Sequence, residues 1–294
     1  MRIDAVSWNL FHGRDKPPDP ALFSWRSRLL KITERGPEYA QVNRSLFAEF
    51  ATALVGLRWD VALLQETPPR WAPRLVEALG AESHLALTSR NQLAPLSGWA
   101  ADLNPDLIAS WDGGSNLTLL RGALLSGDQP IAERRELVIH AGRPERRMMA
   151  FTRTGAGLCV ANLHATNDRP ELAGPEVVRA AATAIEWADD APLLFGGDLN
   201  LRPAEQPDVF EKMRELGLER PTGPHSIDHL LARGIEIVEP PAHLGPVEVS
   251  RPPDFHGPAG LWRREAGRRL RLSDHAPVAA QYELPGGPPT EASA

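Results

Sequence analysis

Short apolar runs recur along the chain, each closed by residues that form turns. They are IDAVSW (3–8), WDVALLQE (59–66), LTLLRG (117–122), RELVIH (135–140), RMMAFTR (147–153), LCVANLH (158–164), APLLFGGD (191–198), IDHLLA (227–232), IEIVEP (235–240) and APVAAQYEL (276–284). Runs of this kind predict β-strands. A different period appears at 40–57, where Val42, Leu46, Phe47, Phe50, Leu54 and Leu57 fall at helical spacing. Segments 73–79, 175–188 and 207–216 also read as helices, with Pro175 placed in a first turn. The mixture predicts an α/β fold in which two sheets pack face to face with helices outside. Residues 13–20, 88–116 and 251–260 are rich in turn formers and read as long loops, which in a compact domain often serve function. The tail 285–294 reads as disordered. No repeat or linker divides the remainder, so residues 1–284 are expected to form a single domain.

Composition changes this picture little. The 294 residues suffice for a substantial core, and 42 % hydrophobic with 24 % charged residues is ordinary for a globular protein. A formal net charge of −6 excludes a whole-molecule attraction to nucleic acid or anionic lipid, though not a local basic patch. Only Lys16, Lys31 and Lys212 are lysines, so nearly all positive charge is arginine, the bidentate phosphate partner. Arginine and proline richness equally fits a GC-rich genome. The one cysteine, Cys159, allows no disulfide within the chain and is expected to be a buried free thiol. MRIDAVSWNL reads at once as a strand, and no transmembrane segment is visible, so a cytoplasmic setting is the expectation. Nothing in these patterns sets an oligomeric state.

The chemistry lies where polar residues meet the ends of apolar runs. Asn9 ends the first, Gln65 and Glu66 the second, Asn162 and His164 a third with Asn167 just beyond. Asp198 and Asn200 follow two glycines, Asp228 and His229 lie in SIDHLL, and Asp274 and His275 in LSDHAPV. Each alone reads as an ordinary turn or solvated strand end. Six together fit a site assembled on one rim of a rigid scaffold. Glu66 and Asp274 are hard oxygen ligands and Asn9 can add a carboxamide oxygen, a set that suits Mg²⁺, with Mn²⁺ as a substitute. Histidines beside carboxylates suit proton transfer near neutral pH. Metal, imidazole and orienting amides together describe phosphoester hydrolysis.

In their order, WN, LQE, NLHATN, GGDLN, IDH and SDH make the chain resemble the endonuclease/exonuclease/phosphatase superfamily from Asn9 to His275. That resemblance implies a deoxyribonuclease-like four-layer α/β sandwich of two mixed, mainly antiparallel sheets. It implies Glu66 as principal Mg²⁺ ligand, supported by Asn9 and Asp274. His275, paired with Asp228, would bind the scissile phosphate or act as general base. Asp198 and Asn200 would orient water, phosphate or a second metal, His164 would serve the leaving oxygen, and Asn167 would touch the phosphate. Abasic-site endonucleases place a tyrosine where His164 stands, and many nucleases carry a basic residue where this chain has Pro68; both departures argue against a dedicated abasic-site enzyme. His12 in NLFHG is a candidate substrate contact, and an exposed loop histidine is the competing reading.

A Mg²⁺-dependent phosphodiesterase of nuclease type is therefore the leading expectation, with a phosphoester and possibly nucleic acid as its partner. The run Arg263, Arg264, Arg268, Arg269, Arg271 could track a phosphate backbone or form a solvated strand face. A phosphatase or a sphingomyelinase-like phospholipid phosphodiesterase is the alternative on the same scaffold. An exposed aromatic patch would favour lipid, and Trp99, Trp111 and Trp262 fall in loop-like or edge segments. A catalytically inactive binding protein is the remaining reading, and retention of every expected ligand type argues against it.

Overall fold

The structure, a computed structural model, describes residues 1–88, 104–108, 114–125, 129–142, 146–219, 221–250 and 267–285. In chain order the strands are β1 (Arg2–Asn9), β2 (Glu34–Arg35), β3 (Ala40–Gln41), β4 (Val61–Gln65), β5 (Glu82–Leu87) and β6 (Ser115–Leu120). Next come β7 (Ile131–His140), β8 (Arg147–Thr154), β9 (Cys159–His164), β10 (Leu193–Asp198) and β11 (Asp228–Arg233). The last are β12 (Glu236–His243), β13 (Val247–Ser250), β14 (Arg269–Leu272) and β15 (Val278–Glu283). The α-helices are α1 (Trp25–Leu30), α2 (Phe47–Gly56), α3 (Ala72–Leu79), α4 (Pro105–Ile108), α5 (Pro170–Ala188) and α6 (Pro207–Glu215).

One sheet has the order β12-β15-β1-β4-β6-β5 and the other β11-β10-β9-β8-β7. The β1–β4 and β9–β10 pairs are parallel, and the other pairings within these sheets are antiparallel. Strand alternation sorts the side chains into layers. Val6, Trp8, Ala62, Leu64, Leu117 and Leu119 face outward onto Phe50 and Leu54 of α2 and Leu75 of α3. Ile3, Val61, Leu63, Val160, Leu194, Leu230 and Tyr282 fill the space between the sheets. Phe151, Ala161, Leu163 and Phe195 face the alanine-rich side of α5. Helix, sheet, sheet, helix is the resulting order. Each large side chain fully buried here contributes about 1.5–3 kcal/mol of transfer free energy, and Trp8, Phe50 and Trp71 add ring contacts at 5.2 and 5.6 Å.

Several boundaries differ from the expectation. The helix expected over 40–57 begins only at Phe47; Ala40–Gln41 is a strand. Between them the Val42 amide donates to Asp15 Oδ2 and the Asn43 side-chain amide to the Arg28 carbonyl, both at 3.0 Å, tertiary bonds that tie this stretch to other segments. The helix expected from Pro175 starts at Pro170, leaving Pro175 inside it. Pro170 occupies the first-turn position where a missing N–H costs nothing. The expected loop 88–116 contains α4 and the start of β6, and the arginine-rich segment ends in β14, which pairs with β13. The loop expected at 251–260 lies outside the described residues, as does the tail from 286 onward.

Candidate active site

Along β1, β4, β9 and β10 the inward-facing positions change from apolar to polar at the carboxyl ends. Register sets the neighbours: Asn9 lies opposite Gln65, and Asp198 lies opposite both His164 and Asp228. Hydrogen bonds then cross from sheet to sheet. Gln65 Nε2 donates to Asn162 Oδ1 at 2.8 Å, and Asn9 Nδ2 donates to Asp198 Oδ2 at 2.9 Å. Asp198 Oδ2 also lies 3.6 Å from His164 Nε2 and 3.7 Å from His275 Nε2. His275 Nδ1 is 2.8 Å from Asp228 Oδ2, and its Nε2 is 3.8 Å from Asp274 Oδ1. Glu66 closes the group, 4.0 Å from His164 Nε2 and 3.2 Å from His12 Nε2.

The backbone turns sharply where these side chains leave the strands. Phe11, His12, Glu66, Asn200 and Ser273 all have φ between +48° and +63°. Left-handed residues that are not glycine are costly, and they collect at functional sites where surrounding structure holds them. Each turn breaks alternation, so that Gln65 stays between the sheets while Glu66 reaches the cleft. Ser273 does the same for the last loop: its hydroxyl donates to the Asn9 carbonyl at 2.6 Å and accepts from the His275 amide at 3.1 Å. Trp8 Nε1 holds the His275 carbonyl at 3.0 Å. Gly197, with φ of +129°, permits the tight pairing beneath Asp198, since a Cβ there would stand 2.0 Å from the Leu163 carbonyl oxygen.

The sequence model of the Endonuclease/Exonuclease/phosphatase family matches residues 6–275. The chain belongs to that family. Solved structures show the same fold. One is an endonuclease/exonuclease/phosphatase family protein from Bacteroides thetaiotaomicron, 14 % identical, with a TM-score of 0.60 over 96 % of this chain and 95 % of that one. A mannosyl-6-phosphatase from the same organism is 13 % identical, with a TM-score of 0.59 over 96 % of this chain and 100 % of that one. A humanized D. rerio TDP2 with 14 mutations is 17 % identical, with a TM-score of 0.50 over 96 % and 99 %. No curated protein matches the chain by sequence. As a member of the endonuclease/exonuclease/phosphatase family, it is a phosphoester hydrolase of the deoxyribonuclease-like fold.

Electrostatics separates the two imidazoles of this family member. Burial lowers the His164 pKa well below its ordinary value, and Arg147, His275 and His12 push it the same way. Arg147 Nη1 lies 3.2 Å from His164 Nδ1. A guanidinium only donates, so Nδ1 must accept and the ring carries its proton on Nε2, facing Asp198 and Glu66. His275 is the opposite case: burial lowers it, but Asp198, Asp228 and Asp274 outweigh burial and raise it to about 10. Burial, with Asp228 next to it, raises the Asp198 carboxyl. Burial also raises Asp274, even though 37 % of that side chain is exposed, and Glu66 adds to the shift.

The donor set fits a hard divalent cation. Asp198, Asp228 and His275 offer ligand atoms all within 4.8 Å of one another, and Asp228 Oδ1 is buried with no hydrogen-bond partner among the described residues. Glu66, beside His164 and His12, and Asp274, beside His275, add two further carboxylates around that group. Asn9 already uses Oδ1 to accept from Phe11 N at 2.9 Å, with one lone pair remaining. Asn200 donates its amide N–H to Asp198 Oδ1 at 3.2 Å and its side chain to the Ala165 carbonyl at 3.1 Å.

Not every candidate joins the group. Asn167 is exposed beyond β9, Arg268 donates to the Gly36 carbonyl at 2.9 Å on the β13–β14 ribbon, and Arg263 and Arg264 lie outside the described residues. His229 faces the opposite side, with Nε2 3.0 Å from the Leu201 carbonyl. Arg147 and Ser273 were missed by sequence reasoning. An arginine heading the otherwise apolar RMMAF was the available signal for the first; Ser273, in LSDH, looked like an ordinary turn former.

Proposed function

We propose that the chain is a Mg²⁺-dependent phosphodiesterase. The observation that carries this reading is Asp198 Oδ2 set between two imidazoles, 3.6 Å from His164 and 3.7 Å from His275. His275, held as a cation, donates from Nε2 to a non-bridging phosphate oxygen, and Asp228 orients it through Nδ1. Asp198, its affinity for protons raised, accepts the proton of the attacking water, while Asn9 and the Asn200 amide hold the carboxylate in place. Neutral His164 donates a hydrogen bond from Nε2–H to the leaving oxygen and stabilises the charge that develops there, the orientation that the Arg147 contact imposes, while the proton itself comes from water. Glu66 and Asp274 would hold the Mg²⁺, which when bound neutralises charge on the phosphate and lowers the pKa of coordinated water. A diester brings one negative charge into a cleft lined by four carboxyl groups, where a monoester dianion would bring two.

The nuclease reading rested on the complete set of site residues, on His164 and on the arginine run. Arg268 engages Gly36, and Arg269 pairs with Glu248 and Glu38 at 2.9 Å each, so these two support the ribbon instead of presenting a free phosphate track. The proposal is thus narrowed to the bond cleaved. Glu66→Ala is expected to abolish Mg²⁺-dependent hydrolysis of bis-nitrophenyl phosphate with an unchanged circular dichroism spectrum; undiminished turnover would remove Glu66 from the metal site. A panel of plasmid DNA, RNA, sphingomyelin, inositol phosphates and phosphomonoesters, each with an EDTA control, then ranks the substrates.

A further inference from the structure

Beside the cleft, α1 turns large apolar side chains toward solvent. Trp25, Leu29, Leu30 and Ile32 are 66, 55, 61 and 43 % exposed, four within eight consecutive positions. Single exposed apolar residues are common on any surface, whereas a contiguous group marks a place of interaction. Polar anchors on its other side hold the helix in this pose. Ser24 Oγ accepts from Ser27 N at 3.3 Å, and Lys31 closes the helix in a left-handed conformation. The Arg28 carbonyl accepts from the side-chain amides of Asn43 and Asn104, both at 3.0 Å. The apolar face is therefore fixed outward.

Cations border this face. Arg26, Lys31 and Arg35 are exposed, and residues 23–35 carry Arg26, Arg28, Lys31 and Arg35 against Glu34 alone, in a molecule whose net charge is −6. A row of alternating rings and cations leads from there to the cleft. Arg28 lies 5.3 Å from the Phe23 ring, Lys16 4.4 Å from Phe23 and 6.0 Å from Phe11, and Arg14 4.0 Å from Phe11. Phe11 adjoins His12, which reaches Glu66 at 3.2 Å. These contacts run from Arg28 of α1 to Phe11, the neighbour of His12.

We propose that the α1 face docks this protein onto an anionic lipid surface, with Trp25, Leu29, Leu30 and Ile32 entering the headgroup layer and Arg26, Lys31 and Arg35 meeting lipid phosphates and carboxylates. Tryptophan favours the membrane–water interface, and basic side chains extend along apolar surface to reach polar headgroups. A short apolar face with a basic border is the pattern of peripheral attachment. Nucleic acid fits less well, because Leu29, Leu30 and Ile32 offer bases no ring to stack on. A second copy of the same face would oppose like charges along its border. The inference goes beyond the phosphodiesterase reading and does not rest on it.

Vesicle flotation of the full chain tests the proposal, using phosphatidylcholine with and without phosphatidylserine. The wild-type protein is expected to float with the phosphatidylserine vesicles and to be released by salt. Leu29→Ser with Leu30→Ser should lower the bound fraction about tenfold or more, and Arg26→Glu with Lys31→Glu should do likewise. Both variants should hydrolyse soluble bis-nitrophenyl phosphate at the wild-type rate and keep the wild-type circular dichroism spectrum. Absent flotation of the wild type, or flotation indifferent to both variants, overturns the proposal. So does a dimer by light scattering that Leu30→Ser dissociates, or single-stranded DNA binding that the same variants abolish. Should soluble hydrolysis be missing while flotation behaves as expected, the phosphodiesterase reading fails and the docking surface stands.

Discussion

His164 owes its chemistry to one neighbour. Because Arg147 can only donate, it decides which ring nitrogen of His164 keeps the proton, and burial keeps the ring neutral. His164→Ala should slow cleavage of an alkyl phosphodiester by about 10²–10³ and of bis-nitrophenyl phosphate far less, since departing nitrophenolate needs little stabilisation. Comparing the two leaving groups in single-turnover assays checks this; equal losses would take His164 away from the leaving oxygen. Asp228→Asn should slow both substrates alike by misorienting His275, and an unchanged rate between about pH 5 and 9 would exclude that pair from the reaction. At this scale much of the candidate site was legible, because Asn9, Glu66, His164, Asp198, Asn200, Asp228, Asp274 and His275 each end an apolar run. Arg147 was not, since an arginine inside a strand pattern reads as a charged edge until its neighbour across the sheet is known.

Among the elements, β9 and β10 carry the site with little tolerance. Gly197→Ala would push a methyl group into the Leu163 carbonyl beneath Asp198. The expected cost is about 2–4 kcal/mol, seen as a lower unfolding midpoint in urea together with reduced turnover; a neutral substitution would show that the pairing yields easily. Strands were the more readable elements, because short apolar runs between turn formers survive folding as they stand. Helix starts were less so. Val42 and Leu46 have helical spacing and are buried, but tertiary bonds at Val42 and Asn43 tie that stretch to other segments. The short α1 carries no buried apolar stripe, so periodicity had nothing to detect there.

At the scale of the whole molecule, buried carboxyls set how stability varies with pH. Burial raises Asp106 from 3.8 to about 6. Burial, then Asp106, raises Asp15 in the same direction. Each binds its proton more tightly folded than unfolded, so its contribution is complete below the unfolded value and lost as pH rises through the folded one. The thermal midpoint should fall between about pH 4 and 7, and Asp106→Asn should remove part of that fall, worth up to about 3 kcal/mol. A midpoint unaffected by Asp106→Asn over that range would contradict the assignment. The layered architecture was legible from the mixture of periods, whereas the strand order was not, because pairing β1 with β15 joins residues about as far apart in the chain as any. That pairing has a consequence for synthesis. While the chain emerges from the ribosome, β1 waits with an open edge until β15 arrives, and His275 arrives only just ahead of it. A chain cut short before residue 275 therefore lacks both His275 and the strand that pairs along β1.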